Sequence, residues 1–354
     1  MKKAVKKMIK PEELIFGLDS FGDIPQDEDG KSFTQAEAIR QVVKEAKMAD
    51  ELGIDVIALG EHHRVDYAIS SPDTVLAAIA SITKKITLAT GVTVLSSDDP
   101  VRVYERFATL EAISRGRAEA VLGRGSFTES FPLFGYDLQN YDILFEEKLN
   151  LYSKLLEEKP VTWEGTTRAA LKDADVFPKT DNGKIATRIA VGGSPESVVR
   201  TARYGFPLTL AIIGGSPERF SAYIELYKKA AAKFEQPVYP VAVHSHGVIA
   251  DTDEEAIELG WNHIRASFVR IGQDRGWTPM SREQYEGEVQ NGSFYVGSPE
   301  TVAKRIARMI KILGIGRFEL VYGAGGLSAN ARERTIELYA TKVIPRVREL
   351  LSEG

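Results

Sequence analysis

Short runs of β-branched and other apolar residues alternate along this chain with longer segments whose apolar residues return every three to four positions. The first kind reads as strands, the second as amphipathic helices. Leu14–Leu18 predicts a first strand, followed by a helix over Thr34–Leu52 that Gly53 closes. Asp55–Gly60 predicts a second, and its helix opens near Pro72-Asp73, where proline suits a first helical turn. Ile86–Leu95 reads as a third strand, with a helix from Pro100 to Gly116. Ala118–Leu122 is the fourth, with a helix over Tyr141–Glu157. Further strands are expected at Arg188–Val191, Leu208–Ile213, Val238–Ile249 and Phe318–Tyr322. Their helices fall near Pro195–Tyr204, Pro217–Phe234, Asp253–Arg270 and Pro299–Leu313, and Ala329–Leu351 closes the chain. Continuous apolar strands alternating with amphipathic helices make a parallel sheet covered by helices, and eight of them suit a closed (β/α)₈ TIM barrel.

Two stretches break the rhythm. Trp163–Lys184 lacks helical period and predicts a hairpin, an excursion near 160–185. Gly272–Ser298 is rich in Gly, Gln and Ser and predicts a mobile loop over one face, a second excursion near 271–298. No Gly/Ser linker divides the chain, so 1–354 is expected to form one barrel domain with insertions.

Composition narrows the function. Of 354 residues, 43% are hydrophobic and 27% charged, enough apolar material for a large core. The net charge of −5 argues against a nucleic-acid partner, since phosphate backbones need a basic surface. No apolar run approaches the roughly 20 residues of a membrane span. The basic stretch Met1–Lys10 is followed by no apolar segment, so it does not read as a secretory signal. Cysteine is absent, which removes disulfides, thiolate catalysis and Cys-ligated metals and makes the cytoplasm the default compartment.

In such barrels chemistry sits where strands end and loops begin. Glu61-His62-His63 follows the second strand. If strand alternation continues there, one imidazole faces the barrel mouth and the other packs outward; a histidine in the mouth suits proton handling near neutral pH. Glu61 is placed to partner an Arg, a His or a ring N–H. Arg124 stands between Gly123 and Gly125 after the fourth strand, a fixed fork for phosphate oxygens. Gly192-Gly193-Ser194-Pro195-Glu196-Ser197 follows the fifth, where free backbone N–H groups and two hydroxyls converge at a helix start. Gly214-Gly215-Ser216-Pro217-Glu218 repeats that pattern after the sixth, so one copy alone is an ordinary helix cap. His244-Ser245-His246 puts two imidazoles on one face of the seventh strand. They either line the barrel mouth or, with further ligands, hold a metal.

Three segments together resemble the bacterial luciferase-like family of flavin-dependent oxidoreductases. They are Glu61-His62-His63; Ala89-Thr90-Gly91-Val92-Thr93-Val94-Leu95 with Pro100-Val101-Arg102; and Ile113-Ser114-Arg115-Gly116-Arg117 leading into Val121-Leu122-Gly123-Arg124-Gly125. The likeness runs over nearly the whole chain and includes Gly297-Ser298-Pro299-Glu300. It implies a luciferase-like barrel with an insertion after strand seven and FMN in its mouth. It assigns His62 as the flavin-facing catalytic histidine and Glu61 as a carboxylate near the flavin. Beneath the ring it places a cis peptide at Gly91-Val92. Arg124, with Gly193, Ser194 and Ser197, falls to the phosphate. The catalytic-site cysteine of luciferase falls at Gly123, and a second phosphate-side arginine at Asp142; both departures argue against light emission. His244-Ser245-His246-Gly247 and Ser126–Tyr136 are most like a branch of the family without an assigned substrate.

The resemblance therefore implies an FMN-dependent monooxygenase. It would use reduced flavin and O₂ on a small organic substrate, with no metal, a separate NAD(P)H:flavin reductase and a homo-oligomeric state. Phe127 would supply an apolar wall, Phe131 ordinary packing, and the 270–298 segment would close over the site. Three alternatives stand beside it: hydride transfer with the deazaflavin F420, a metal-dependent barrel hydrolase using His244 and His246, and a catalytically silent flavin binder.

Overall fold

The structure is a computed structural model that describes residues 9–125, 127–276 and 278–353. The first eight residues, Ser126, Trp277 and Gly354 lie outside them. In chain order the elements begin with β1 (Ile15–Ser20), α1 (Gln35–Glu51), β2 (Val56–Leu59), α2 (Pro72–Ile82), β3 (Thr87–Thr90) and β4 (Thr93–Val94). Next come α3 (Pro100–Ser114), β5 (Ala118–Gly123), α4 (Ser130–Leu133), α5 (Tyr141–Leu155), β6 (Val161–Trp163) and β7 (Leu171–Ala174). Then follow β8 (Ala186–Val191), α6 (Pro195–Arg203), β9 (Leu208–Ala211), α7 (Ser221–Lys233), β10 (Ala242–Ile249) and α8 (Asp253–Arg275). The last are α9 (Arg282–Asn291), β11 (Tyr295–Gly297), α10 (Pro299–Leu313), β12 (Arg317–Val321), α11 (Ala329–Leu338) and α12 (Ile344–Ser352).

Strands β1, β2, β3, β5, β8, β9, β10 and β12 pair in parallel in that order. Because β12 also pairs with β1, the sheet closes into an eight-stranded (β/α)₈ barrel. Alternation along each strand sorts its residues. Phe16 and Leu18 of β1 and Ile57 and Leu59 of β2 pack outward into the main core with Val42, Ala46 and Ala49 of α1. Val56, Ala58, Ala89 and Val121 form a separate cluster of mostly small side chains on the inner face.

Lower in the barrel the axis is filled by charge. Arg317 of β12 donates from Nη1 to Glu119 Oε2 of β5 at 2.5 Å and from Nε to Glu319 Oε1 at 2.9 Å, and all three are buried. Arg188 of β8 donates to Thr209 Oγ1 and to the Leu208 carbonyl beside them. A second buried network ties the outer layer together. Arg332 of α11, wholly buried, donates to Glu45 Oε2 of α1 at 2.8 Å and to the Asp23 carbonyl at 2.9 Å; the Tyr322 hydroxyl reaches the same Glu45 oxygen at 2.7 Å.

Three boundaries differ from the sequence reading. The run Ile86–Leu95 is not one strand: β3 stops at Thr90, the Gly91–Val92 peptide is cis, and β4 resumes against β5 only. The seventh strand starts at Ala242, after an extended lead-in. The stretch 271–298, expected as a loop, is mostly ordered structure. Helix α8 runs through it to Arg275 and is closed by Gly276 in the left-handed region. Helix α9 then starts from a Ser281/Gln284 capping box, and β11 pairs with the end of β10. Tyr285 and Val289 of α9 join Phe294, Val296 and Val248 in a second core. With only two buried residues in ten, α9 carries too little apolar period to read as a helix. The other excursion is a hairpin, with β6 antiparallel to β7. Among the described residues no helix is long and apolar enough to cross a membrane.

The Arg332–Glu45 pair yields a stability prediction. Removing one partner of a buried pair strands the other's charge. Glu45→Ala should therefore lower unfolding free energy by about 3–5 kcal/mol in urea titration. Glu51→Ala, which removes the exposed pair with Lys47, should change it little. Equal effects of the two substitutions would refute the network's structural role.

Candidate active site

A cavity of about 470 Å³ opens where the parallel strands end, at the barrel's C-terminal mouth. Glu61, His62, Gly91, Val92, Arg124, Gly193, Ser194 and Ser197, the residues singled out from the sequence, all lie on its wall. Aromatic and aliphatic side chains, among them Phe21, Phe127, Phe268 and Ile271, line much of the rest.

Glu61 is a tie rather than a free carboxylate. Oε2 accepts from the Val94 backbone N–H at 2.9 Å, and Oε1 meets His63 Nε2 at 3.0 Å. With the Glu61 N–H donating to the Val92 carbonyl at 3.2 Å, these bonds fasten the loop after β2 to the Gly91–Val94 segment. The expected alternation of His62 and His63 does not hold, because both lie beyond the end of β2 and both reach the cavity. His62 stacks on Tyr67 with ring centroids 4.5 Å apart and meets the edges of Phe21 and Phe127 at 5.3 and 4.8 Å. Its Nδ1 stands 3.5 Å from Glu129 Oε1, beyond a well-formed hydrogen bond. Phe131 is fully buried and stacks on Tyr141. Tyr67 and Glu129, which hold His62, were not picked out from the sequence, because each lies in a loop without period.

The Gly91–Val92 segment needs its neighbours small. A Cβ on Gly91 would come within 2.8 Å of the Asp19 carboxylate, and one on Gly123 within 2.7 Å of Val92 Cγ2. The Val92 side chain thus occupies the space a side chain at 123 would take. That is a physical reason for glycine at the position where luciferase carries cysteine.

At the inner end of the cavity, β10 presents His244 and His246. His244 Nδ1 lies 2.7 Å from Oδ2 of Asp19, a fully buried residue of β1. Burial pushes Asp19 up to about 6, against the pull of His244. Burial alone would lower His244, but the Asp19 carboxylate outweighs it and raises the imidazole's pKa. For His246, burial and then the His244 charge push its pKa down to about 3, so it is neutral. Asp19 sits one residue past the predicted first strand; the alternation Gly17, Asp19 was the signal that it points inward.

Asp19, His244 and Glu319 bring one ligand atom each within 4.8 Å of one another. His244 Nδ1 is already engaged by Asp19, and Glu319 Oε1 is taken by the Arg317 guanidinium.

At the opposite end, Ser194 caps α6 by accepting from the Ser197 N–H at 3.3 Å, and the Ser197 hydroxyl oxygen is buried without a partner. Arg124 lies across from this helix start, its guanidinium over Tyr141 at 4.8 Å and its Nη1 on Asp142 Oδ1 at 2.6 Å. An orphaned buried hydroxyl, unpaired N–H groups at a helix start and an arginine make a cradle that fits a phosphate.

Comparison with known proteins agrees with this geometry. The luciferase-like monooxygenase profile matches residues 21–315. The chain belongs to the luciferase-like monooxygenase family. It is accordingly an oxidoreductase of that class, as the sequence resemblance implied. An alkanal monooxygenase alpha chain from Photorhabdus luminescens is 26% identical over 90% of this chain and 94% of its own length. A second such chain from that species is 27% identical, but the match spans only 62% of it. Limonene 1,2-monooxygenase from Rhodococcus erythropolis is 27% identical over 87% and 81%. Among solved structures, a monooxygenase from Streptomyces bottropensis superposes with a TM-score of 0.78 at 22% identity, covering 94% of this chain and 99% of that one. The oxygenating constituent of 3,6-diketocamphane monooxygenase from Pseudomonas putida, in complex with FMN, gives 0.75 at 21% identity over 94% and 99%. The (β/α)₈ fold is thus shared at low identity.

The contact between Val92 and Gly123 can be tested without any ligand. Gly123→Ala should destabilise this family member by about 1–3 kcal/mol through overpacking, and Val92→Ala in the same chain should recover much of that loss. Thermal melts of both singles and the double give the coupling. Strictly additive changes would contradict the packing described.

Proposed function

We propose that this chain is an FMN-dependent monooxygenase that uses reduced FMN and O₂ on a small organic substrate. One observation carries the reading. The Gly91–Val92 segment and the cradle of Arg124, Ser194 and Ser197 lie on the walls of one cavity, the first beside imidazoles and the second fitted to a phosphate. When bound, reduced flavin supplies the electrons and the ring carbon at which O₂ reacts.

The chain's own residues bind, orient and exclude water. Arg124 and the α6 N-terminus fix the phosphate, and the ribityl chain would pass Gly192-Gly193. Glu61 holds the Gly91–Val94 backbone on which the ring would rest. His62, clamped between Tyr67, Phe21 and Phe127, is the proton-handling residue of the expected site. Phe127, Phe268 and Ile271 keep the reacting end apolar, so that every charge interaction there acts in a poor solvent. Reduced flavin would come from a separate NAD(P)H:flavin reductase, and the enzyme would be a cytoplasmic homo-oligomer. The deazaflavin F420 is the rival cofactor. Two of the similar folds are F420-dependent proteins, a tetrahydromethanopterin reductase and a secondary alcohol dehydrogenase.

Asp142 supplies a specific test. It occupies the Arg124 guanidinium that the phosphate needs, across an exposed ion pair. Arg124→Ala should weaken FMN binding by about 1.5–3 kcal/mol and leave riboflavin, which lacks the phosphate, nearly unaffected. Asp142→Asn should tighten FMN by about two- to fivefold, the scale of one exposed pair. Flavin-fluorescence titration reads both. Equal losses for FMN and riboflavin in the Arg124 variant would overturn the phosphate assignment.

His62→Ala should cut oxygenation by about 10²–10⁴-fold, the worth of a placed proton-transfer group, while FMN affinity stays close to that of the parent. Oxygen uptake with a flavin reductase measures it. An unchanged rate would exclude His62 from proton handling.

A further inference from the structure

A second cavity, of about 510 Å³, meets the first at Gly192-Gly193, which line both. It lies by the starts of α6 and α7, and Arg219, Phe220, Tyr223 and Leu226 form most of its other walls. The flavin site described above makes no use of it.

The protein alone gives no reason for glycine at 192. Its φ lies outside the left-handed region, and a Cβ there would meet no atom within 4 Å. Neither backbone conformation nor packing asks for glycine, whereas a ligand passing close to the backbone does.

Arg219 is the charge of this groove. Its guanidinium lies against Gly215, whose Cβ would stand 2.9 Å from Nη1. Among the described residues it has no hydrogen bond or ion pair, and no carboxylate lines the groove. Glu218, its neighbour in sequence, is spent on Arg308 and Ser216. The repeated motif Gly214-Gly215-Ser216 is not an anion site of its own, because the Gly215 N–H already donates to the Glu288 carboxylate at 2.9 and 3.0 Å. What this loop brings to the groove is Arg219.

The rest of the wall is aromatic and aliphatic. The rings of Phe220 and Tyr223 stand 5.8 Å apart between centroids, tilted by 40°. The Tyr223 hydroxyl donates to the Gly193 carbonyl at 2.7 Å, tying this wall to the loop that both cavities share. One fixed positive charge beside two aromatic rings suits a flat base carrying a phosphate. A chain of carboxylates would bring more negative charge than one arginine meets, and would leave the rings unused.

We propose that this groove takes an adenosine 5′-phosphate group, the adenylyl half of FAD, with its phosphate on Arg219 and its adenine against Phe220 and Tyr223. The proposal rests on the preceding reading in placing the flavin-side phosphate on Arg124, Ser194 and Ser197. In FAD that phosphate and the adenylyl phosphate form one pyrophosphate, which would cross the backbone at Gly192. The chain then holds the dinucleotide more tightly than FMN, because the second half adds contacts without a second loss of overall freedom.

The test is calorimetric titration of the full-length protein with oxidised FAD, FMN, AMP and F420. FAD should bind the parent about tenfold more tightly than FMN, the scale of one hydrogen bond to a charged group. Arg219→Ala removes an exposed side chain without a partner, so melting temperature and FMN affinity should stay at the parent's values. FAD should lose its tenfold advantage in that variant, AMP binding should weaken with it, and Arg219→Lys should restore part of both. The proposal is overturned if FAD and FMN bind the parent equally, if Arg219→Ala keeps the preference for FAD, or if F420 alone loses affinity in that variant. AMP bound through Arg219 by a protein that takes up neither flavin would fault the cofactor reading and support this site. Tight FMN binding with no advantage for FAD would do the reverse.

Discussion

Arg317 reaching across the barrel axis to Glu119 and Glu319 is the interaction on which the rest of the site depends. A closed eight-stranded barrel has to fill its interior, and here one level is filled by a charged layer that is buried and hydrogen-bonded. Breaking such a layer would strand a buried charge, so its geometry is held tightly. Above it the positions lining the cavity turn small: Gly91, Gly123, Ala190 and Gly192, with Gly91 leaving room for Asp19 and Gly123 for Val92. Asp19 and His244 mark the boundary between the two levels, belonging by charge to the filled one and by position to the open one.

The two ends of the cavity differ in kind. One ends in a helix N-terminus with an arginine and an orphaned hydroxyl, suited to a doubly charged group. The other is apolar, with imidazoles at its base. A long cofactor with a phosphate tail and a flat reactive ring fits that polarity. Glu61 belongs to the frame between them. Both of its oxygens are spent on Val94 and His63, so its contribution is the shape of the backbone segment it fastens.

The barrel was legible because its strands are continuous and apolar on the helix-facing side, and its helices carry clear period and caps. The residues picked out at strand ends lie together for the same reason: in a parallel barrel, every such end faces one mouth. What escaped was of two kinds. Helix α9 has Tyr285 and Val289 buried and little else, and the core it joins includes Val248, Ala256 and Ile264, distant enough that no local pattern announces it. Asp19, Glu119, Arg188, Arg317 and Glu319 alternate inward within strands that otherwise look buried on both faces. A charge inside such a run is visible, but its partner lies on another strand and only the closed sheet brings them together. The environments of His62 and His63 were missed because strand alternation was carried past the last residue of β2.

The central claim is that this cavity takes a flavin by its phosphate. Native mass spectrometry of the full-length protein, incubated with equimolar FMN, riboflavin and F420, tests it most directly. The account predicts a complex carrying FMN, with riboflavin weaker and F420 excluded. A complex dominated by F420, or riboflavin bound as well as FMN, would contradict it.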